Sequence, residues 1–264
     1  MNPIISLPED LRNKISAGEV VERPASVVKE LLENSLDAGA SEITIVIEKG
    51  GHQLIQVRDN GHGISPDGLS QAFQRYTTNK ISNIDDLFNI NTLGFRGEAL
   101  ASIASVSEIS VASSIDEISG HQMSLVNGVT SDIKAAPPIG GTEITVRNLF
   151  YNTPARKKFL KGDSTESSHI TQIVTQHALA YPQIHFTLIN NGRKVIDTLQ
   201  TDQNLYRIAE LFGSELTWSG SNFGPRKPEC WPGHVRVPSM SGWGTVTCRG
   251  NPDVEGRKYS SAPP

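Results

Sequence analysis

The segment Glu42-Ile-Thr-Ile-Val-Ile-Glu48 runs almost directly into Gly50-Gly51 and then into Leu54-Ile-Gln-Val-Arg58. β-Branched residues suit a pleated, half-buried strand, and a paired-glycine turn reverses the chain within a few residues. Parallel neighbours need a crossover of a dozen residues or more, so these two strands are antiparallel. Asn127-Gly128 and Asn190-Asn-Gly192 mark further hairpins. Additional strands are expected over 108–112, 121–126, 131–135 and 141–147. A purely parallel sheet is thereby excluded. The fold class is α+β, with a mixed, mostly antiparallel sheet and helices on one face.

The helices fall over 8–17, 24–38, 163–180 and 204–212. In the second, Pro24 suits the first helical position and Gly39 a left-handed stop. Val27, Val28, Leu31, Leu32 and Leu36 fall on one side of it, as an amphipathic helix requires.

The chain has 264 residues and a formal net charge of −4, which argues against a polycation that coats nucleic acid. No apolar run reaches the ~20 residues that a membrane-spanning helix needs. The first ten residues lack a basic start and a long apolar stretch, so they do not read as a signal peptide. A soluble, cytoplasmic protein with no membrane partner is expected. Cys230 and Cys248 are the only cysteines and form no CxxC pair, which speaks against a metal knuckle or a disulfide framework. From Thr217 the character changes. All three tryptophans, both cysteines and Pro225, Pro228, Pro232, Pro238 and Pro252 lie there. The expected division is therefore a domain over 1–216 and an irregular or disordered tail over 217–264, which translation in a shifted frame would also produce.

Three blocks carry chemistry. In Glu30-Leu-Leu-Glu-Asn34, Glu30 and Asn34 share a helix face at i and i+4. A carboxylate there can deprotonate a water, and a carboxamide oxygen is a hard ligand suited to Mg²⁺. Glu33 and Asp37 are acidic neighbours, so chemistry alone does not choose between Glu30 and Glu33. In Asp59-Asn-Gly-His-Gly63, a carboxylate at a strand end can accept a hydrogen bond from an exocyclic amine such as adenine N6. Its glycines let the backbone pass close to a flat base. In Gly94-Phe-Arg-Gly-Glu98, a glycine-punctuated loop enters a helix, whose free N–H groups and dipole favour phosphate. Arg96 can pair with a phosphate or with a carboxylate. The polar stretch between, with Thr77-Thr78-Asn79-Lys80, reads as a mobile lid. Gly140-Gly141-Thr142 can add a hydroxyl near the base or be a simple turn. Arg156-Lys157-Lys158-Phe159-Leu160-Lys161 is a local basic cluster able to meet phosphates; a solvated helix start is the stronger reading of it.

With these blocks in place, 17–39, 59–63, 94–103 and Phe150-Tyr-Asn-Thr-Pro-Ala-Arg156 closely resemble the N-terminal ATPase region of the MutL family of bacterial DNA mismatch-repair proteins. The match runs from about residue 3 to about 216. That family shares its ATP fold with DNA gyrase, the ninety-kilodalton heat-shock chaperone and sensor histidine kinases. The resemblance implies a two-layer α/β sandwich of the GHKL, or Bergerat, type.

It also implies roles. Glu30 corresponds to the general base, Asn34 to the Mg²⁺ ligand, and Asp59 to the adenine-reading acid, with Gly63 beside it and Thr142 behind. Thr78 and Lys80 belong to the lid, and Gly94, Phe95, Arg96 and Gly97 to the phosphate loop. The same carry-over sets Asp37, Ala38, Gly61, Ile64, Thr77, Leu93 and Glu98 against the nucleotide. The cofactors implied are ATP and Mg²⁺. The partners implied are a mismatch-recognition protein, a downstream endonuclease and helicase, DNA bound weakly and without sequence preference, and a second copy in the full-length protein. A bacterial member would be nucleoid-associated. The family draws a lysine that reaches the γ-phosphate from a second domain, and the match ends where that domain would begin. Weak hydrolysis is therefore expected, with a truncated or frameshifted, non-catalytic ATP-binding module as the alternative.

Overall fold

The computed structural model describes residues 6, 8, 16–80, 92–94, 97–126 and 128–213, together with the backbone of 234–239 and 242–247. The chain forms two compact units, Met1–Arg207 and Ile208–Pro264. The strands of the first are β1 (Glu42–Glu48), β2 (Leu54–Asp59), β3 (Glu108–Ser114), β4 (Gly120–Val126), β5 (Val129–Thr130), β6 (Lys134–Ala136), β7 (Gly141–Arg147), β8 (His185–Asn190) and β9 (Arg193–Asp197). They build a nine-stranded sheet in the order β5-β4-β3-β7-β2-β1-β8-β9, with β6 paired to β4. β1 and β8 run parallel, and the other pairs run antiparallel. The helices are α1 (Pro24–Asp37), α2 (Pro66–Ala72), α3 (Ala99–Ser105), α4 (Pro154–Phe159), α5 (Asp163–Ala180) and α6 (Asn204–Phe212). The mixed, mostly antiparallel α+β architecture is the expected one. A parallel β1–β8 pair needs a long return across the sheet, and α5 lies on that return.

α1 and α5 pack on each other, α1 lying against β2 and α5 against β8. Pro24, Val28, Leu31 and Ser35 of α1 are buried, as are Val27 and Leu32, so one stripe at helical spacing faces the sheet. Ser35 corrects the expected pattern. It takes the inward place given to Leu36, which is only half-buried. On α5, Ile170, Val174 and Ala178 repeat at i, i+4 and i+8 and are fully buried. Removing the Ile170 or Val174 side chain from water is worth about 1.5–3 kcal/mol, and the Ala178 methyl about 0.8 kcal/mol.

The hairpin signal at Asn190-Asn-Gly192 acts as read, whereas Asn127 of the Asn127-Gly128 pair lies outside the described residues. Asn191 and Gly192 have φ of 48° and 76°, as a two-residue primed turn between β8 and β9 requires. The strand expected over 131–135 is shorter, and a side chain explains why. Ser131 accepts the Ser124 N–H on its Oγ at 3.0 Å and donates its own N–H to the Ser124 carbonyl at 2.8 Å. A hydroxyl thus takes the place of a ladder carbonyl, and β6 begins only at Lys134. The helix expected over 8–17 lies largely outside the described residues, although 16–20 are helical.

In the second unit, β10 (His234–Ser239) and β11 (Gly242–Thr247) pair antiparallel, from His234 opposite Thr247 to Ser239 opposite Gly242. No strand was expected in this stretch. Pro238 hides the alternation, yet it stands next to the last residue of its strand, where a missing donor disrupts little of a ladder.

A buried cation closes the first unit. Arg207 is fully buried, and its guanidinium donates to the carbonyls of Ala178 (2.8 Å), Pro182 (2.7 Å), Ile184 (2.9 Å) and Leu199 (2.6 Å). Ala178 lies in the last turn of α5, where carbonyl groups and the helix dipole both favour positive charge. No helix among the described residues is long and apolar enough to cross a membrane.

Candidate functional site

β3, β7 and β2 lie side by side, and their register sorts the inward residues into rows. Ile109, Val146 and Ile55 form one row, and Val111, Ile144 and Val57 the next. The third is Ser113, Thr142 and Asp59. All nine residues are buried. Two apolar rows therefore end in a polar one, at strand ends where Ser35 of α1 meets Asp59.

Burying a carboxylate requires donors. Asp59 has them: the Ser35 hydroxyl at 2.8 Å on Oδ2 and the Gly61 N–H at 2.9 Å on Oδ1. Ser113 ties the rest of the row together. Its Oγ accepts the Ile64 N–H at 2.8 Å, donates to the Gly141 carbonyl at 2.9 Å and lies 2.9 Å from Thr142 Oγ1. Since the Ser113 proton is spent on Gly141, Thr142 is the donor in that last pair. The Asp59 oxygens keep spare lone pairs toward the cavity beyond them.

That cavity measures ≈ 990 Å³. Val57, Ile144, Asp59 and Thr142 form its floor, and α1 supplies Glu30, Glu33, Asn34 and Asp37 along one wall. Thr77, Thr78 and Lys80 line another side, with Leu93, Gly94, Gly97 and Glu98 beyond them. A flat apolar floor, one polar end and a wall of acid and amide suit a ligand with a planar polar ring and a charged tail.

On α1, Lys29 lies nearer one of the two acids than the other. Its ammonium lies 2.7 Å from Glu33 and 3.8 Å from Glu30, so Glu33 is the one tied up in an i, i+4 ion pair. Glu30 is 26 % exposed. Burial pushes its carboxyl above the ordinary glutamate value, with Glu33 adding to the shift and Lys29 and Lys80 opposing it. A carboxylate so placed is a better proton acceptor than an unperturbed one.

Asn34 and Asp37 meet Lys80 and the backbone at 93–94. Lys80 Nζ lies 2.8 Å from Asn34 Oδ1 and 2.6 Å from Asp37 Oδ2. Asp37 also accepts the N–H groups of Leu93, at 3.0 Å, and Gly94, at 3.2 Å. Among the described residues no group of three His, Cys, Asp or Glu side chains is placed to hold a metal. A divalent cation at Asn34 would thus draw most of its ligands from phosphate and water, as Mg²⁺ commonly does.

The glycines hold backbones together. Gly63 (φ 71°) is pressed against the Ser114 carbonyl, Gly141 (φ 109°) against the Asp59 carbonyl and Gly97 (φ 61°) against the backbone of Thr77. A Cβ on Gly61 would come 2.7 Å from the Ala38 carbonyl oxygen. Gly61 does not line the cavity; it fixes Asp59 and packs the strand end on α1. Ala38 and Ile64 do line it, and they also brace the Asp59 loop. The Ala38 carbonyl accepts the His62 N–H at 3.0 Å, and the Ile64 N–H meets Ser113. The Thr77 hydroxyl lies 2.7 Å from the carbonyls of both Gln71 and Gln74, so it is spent on the end of α2. Thr78 accepts the Lys80 N–H at 3.1 Å. Phe95 and Arg96 lie outside the described residues. Ser35 and Ser113 were missed, although each is a polar residue at an inward position of an otherwise apolar stripe.

Residues 22–140 match the model of the histidine kinase-, DNA gyrase B- and HSP90-like ATPases. The DNA mismatch repair protein MutL of Halothermothrix orenii is 52% identical over 220 residues, covering 83% of this chain and 34% of the relative. MutL of Clostridium acetobutylicum is 52% identical over 211 residues, 80% of this chain and 34% of the relative. The chain thus spans about a third of the length of these curated relatives. Among solved structures, the Aquifex aeolicus MutL ATPase domain complexed with ADP superposes with a TM-score of 0.58 at 34% identity, over 73% of this chain and 70% of that one. The N-terminal domain of a DNA repair protein superposes with a TM-score of 0.65 at 28% identity, over 79% and 63%. The family model, the sequence relatives and the solved structures agree on one assignment: the chain belongs to the MutL family of ATPase domains.

Proposed function

We propose that the cleft binds ATP with Mg²⁺ and hydrolyses it. The observation that carries this reading is the polar row at the end of an apolar floor, with Asp59 held by Ser35 and Gly61 and facing the cavity. A purine ring resting over Val57 and Ile144 would give its exocyclic amine to Asp59, with Thr142 behind. The triphosphate would then extend along α1 toward Leu93, Gly94 and Gly97. A relative's MutL ATPase domain has been solved with ADP, which supports a nucleotide in this cleft.

Mg²⁺, when bound, neutralises phosphate charge; Asn34 offers it a carboxamide oxygen. Glu30, rather than Glu33, is the general base in this proposal. It stands on the same face as Asn34, its carboxyl is shifted toward stronger basicity, and its neighbour is held by Lys29. It would orient a water and accept its proton as the water oxygen bonds to the terminal phosphorus and the bond from that phosphorus to the bridging oxygen breaks, so that ADP leaves with the bridging oxygen and phosphate is released. Leu93, Gly94 and Gly97 hold the tail, and Ala38, Ile64 and Glu98 keep the strand end and the helix start in register.

In the whole protein, we propose that nucleotide binding closes a dimer that signals from a mismatch-recognition protein to an endonuclease and a helicase. The exposed Lys157, Lys158 and Lys161 offer weak phosphate contacts to DNA. Phosphate release and ADP titration of the purified chain test the chemistry. Glu30→Ala is expected to retain ADP binding and lose any turnover, whereas Asp59→Asn loses binding by more than about tenfold, as a charge-assisted acceptor is removed. Binding without turnover in the unaltered chain would instead favour a non-catalytic ATP module.

A further inference from the structure

Asn34 and the loop at 93–94 hold each other through two side chains that resemble what the cleft is read to bind. The Lys80 ammonium sits on the carboxamide oxygen of Asn34, where the proposed reading puts a divalent cation. The Asp37 carboxylate takes the consecutive N–H groups of Leu93 and Gly94, where that reading puts phosphate oxygens. The two substitutes also bind one another at 2.6 Å, as a cation and a phosphate would. A Cβ built on Gly94 would lie 3.3 Å from Lys80 Nζ, 3.9 Å from Asn34 Oδ1 and 4.0 Å from Asp37 Oδ2, so the groups converge on the face that glycine leaves bare. Both charged side chains are largely buried, which strengthens their mutual attraction.

We propose that Asp37 and Lys80 form an internal ion pair that competes with phosphate and metal for the same partners, and that Mg²⁺ must displace the Lys80 ammonium from Asn34. This inference rests on the nucleotide reading of the cleft. The bland account makes Lys80–Asp37 an ordinary ion pair. It gives no reason why the same two residues take a hard oxygen ligand and two loop N–H groups as well. In the exchange no covalent bond changes. Lys80 gives up Asn34 Oδ1 to the metal, and Asp37 yields the loop N–H groups to phosphate oxygens.

The competition is measurable. ADP-saturated protein is titrated with Mg²⁺, following the metal-dependent change in binding heat or intrinsic fluorescence, so that no turnover enters the readout. In Lys80→Met the Mg²⁺ concentration at half-effect is expected to fall about tenfold, the scale of one lost charge-assisted competitor. Lys80→Gln, which keeps polarity without charge, is expected to fall in the same direction should the methionine variant unfold. Lys29→Met removes another positive charge of α1, one paired with Glu33 and without a hydrogen bond to Asn34, and it should move the midpoint by less than about twofold, as a partly exposed charge does. An unchanged or higher midpoint in both Lys80 variants overturns the proposal, and so does an equal fall in Lys29→Met. Failure of the unaltered protein to bind ADP at all would sink the nucleotide reading itself, a separate result, and the inference with it.

Discussion

A single carboxyl sets the pH behaviour of the proposed chemistry. Glu30 acts as a base only when ionised, and burial has moved its proton affinity up. The acid limb of the rate profile should therefore lie above the ~4.3 of an ordinary glutamate, with turnover lost as pH falls through the folded-state value. Its sign for stability is the reverse. The folded chain binds this proton more tightly than the unfolded chain does, so the contribution is present at low pH and is lost as pH rises through the raised value. Lys29 and Lys80 oppose the shift, so Lys29→Met is expected to move the acid limb further upward. A pH profile of phosphate release for the two proteins checks this, and a downward or absent displacement would remove Lys29 from the account. Residue by residue, the sequence disclosed the acids but not their partners. Residue chemistry alone does not choose between Glu30 and Glu33, whereas the structure sets Lys29 2.7 Å from Glu33 and 3.8 Å from Glu30. Ser35 and Ser113 give no sign in composition, because their role depends on which face of α1 and β3 is inward.

At the scale of elements, local chemistry was legible where it dictates its own conformation. The Gly50-Gly51 and Asn191-Gly192 turns, the helix bounds of α5 and α6 and the strand β7 follow from propensity and spacing alone. What stayed hidden depends on neighbours distant in sequence: the alignment of β2, β7 and β3 that assembles the polar row, and the parallel partnership of β1 with β8. Ser131 shows the limit, since a side chain that imitates a carbonyl shortens a strand that propensity favours. The same logic separates two kinds of glycine. At Gly63 and Gly141 a left-handed backbone also touches a main-chain carbonyl, so Gly63→Ala and Gly141→Ala combine conformational strain with a clash that backbone cannot relieve. Each should cost about 3 kcal/mol or more. Gly192 has a similar φ of 76° but no heavy atom within 4 Å of a built Cβ, so Gly192→Ala should cost only about 1–2 kcal/mol. Thermal unfolding midpoints of the three variants test this ordering. Equal losses would mean that the close contacts of Gly63 and Gly141 are relieved by small movements.

For the first unit as a whole, the sheet sets the outline and Arg207 holds its far corner. Arg207→Met should leave the strands intact in sequence yet lower stability by about 3 kcal/mol or more, because four carbonyls, those of buried Ala178 and Ile184 among them, lose their donor. A chemical denaturation curve reads that loss directly. The position of this arginine has a practical corollary for anyone trimming the gene. β9 finishes at Asp197, so a fragment stopped shortly afterwards would contain every strand of the large sheet while leaving the buried Ala178 and Ile184 carbonyls without their donor. Such a product should be digested rapidly by a protease, whereas one carried past Arg207 resists. The natural border of this unit is thus marked by a guanidinium rather than by the end of its last strand.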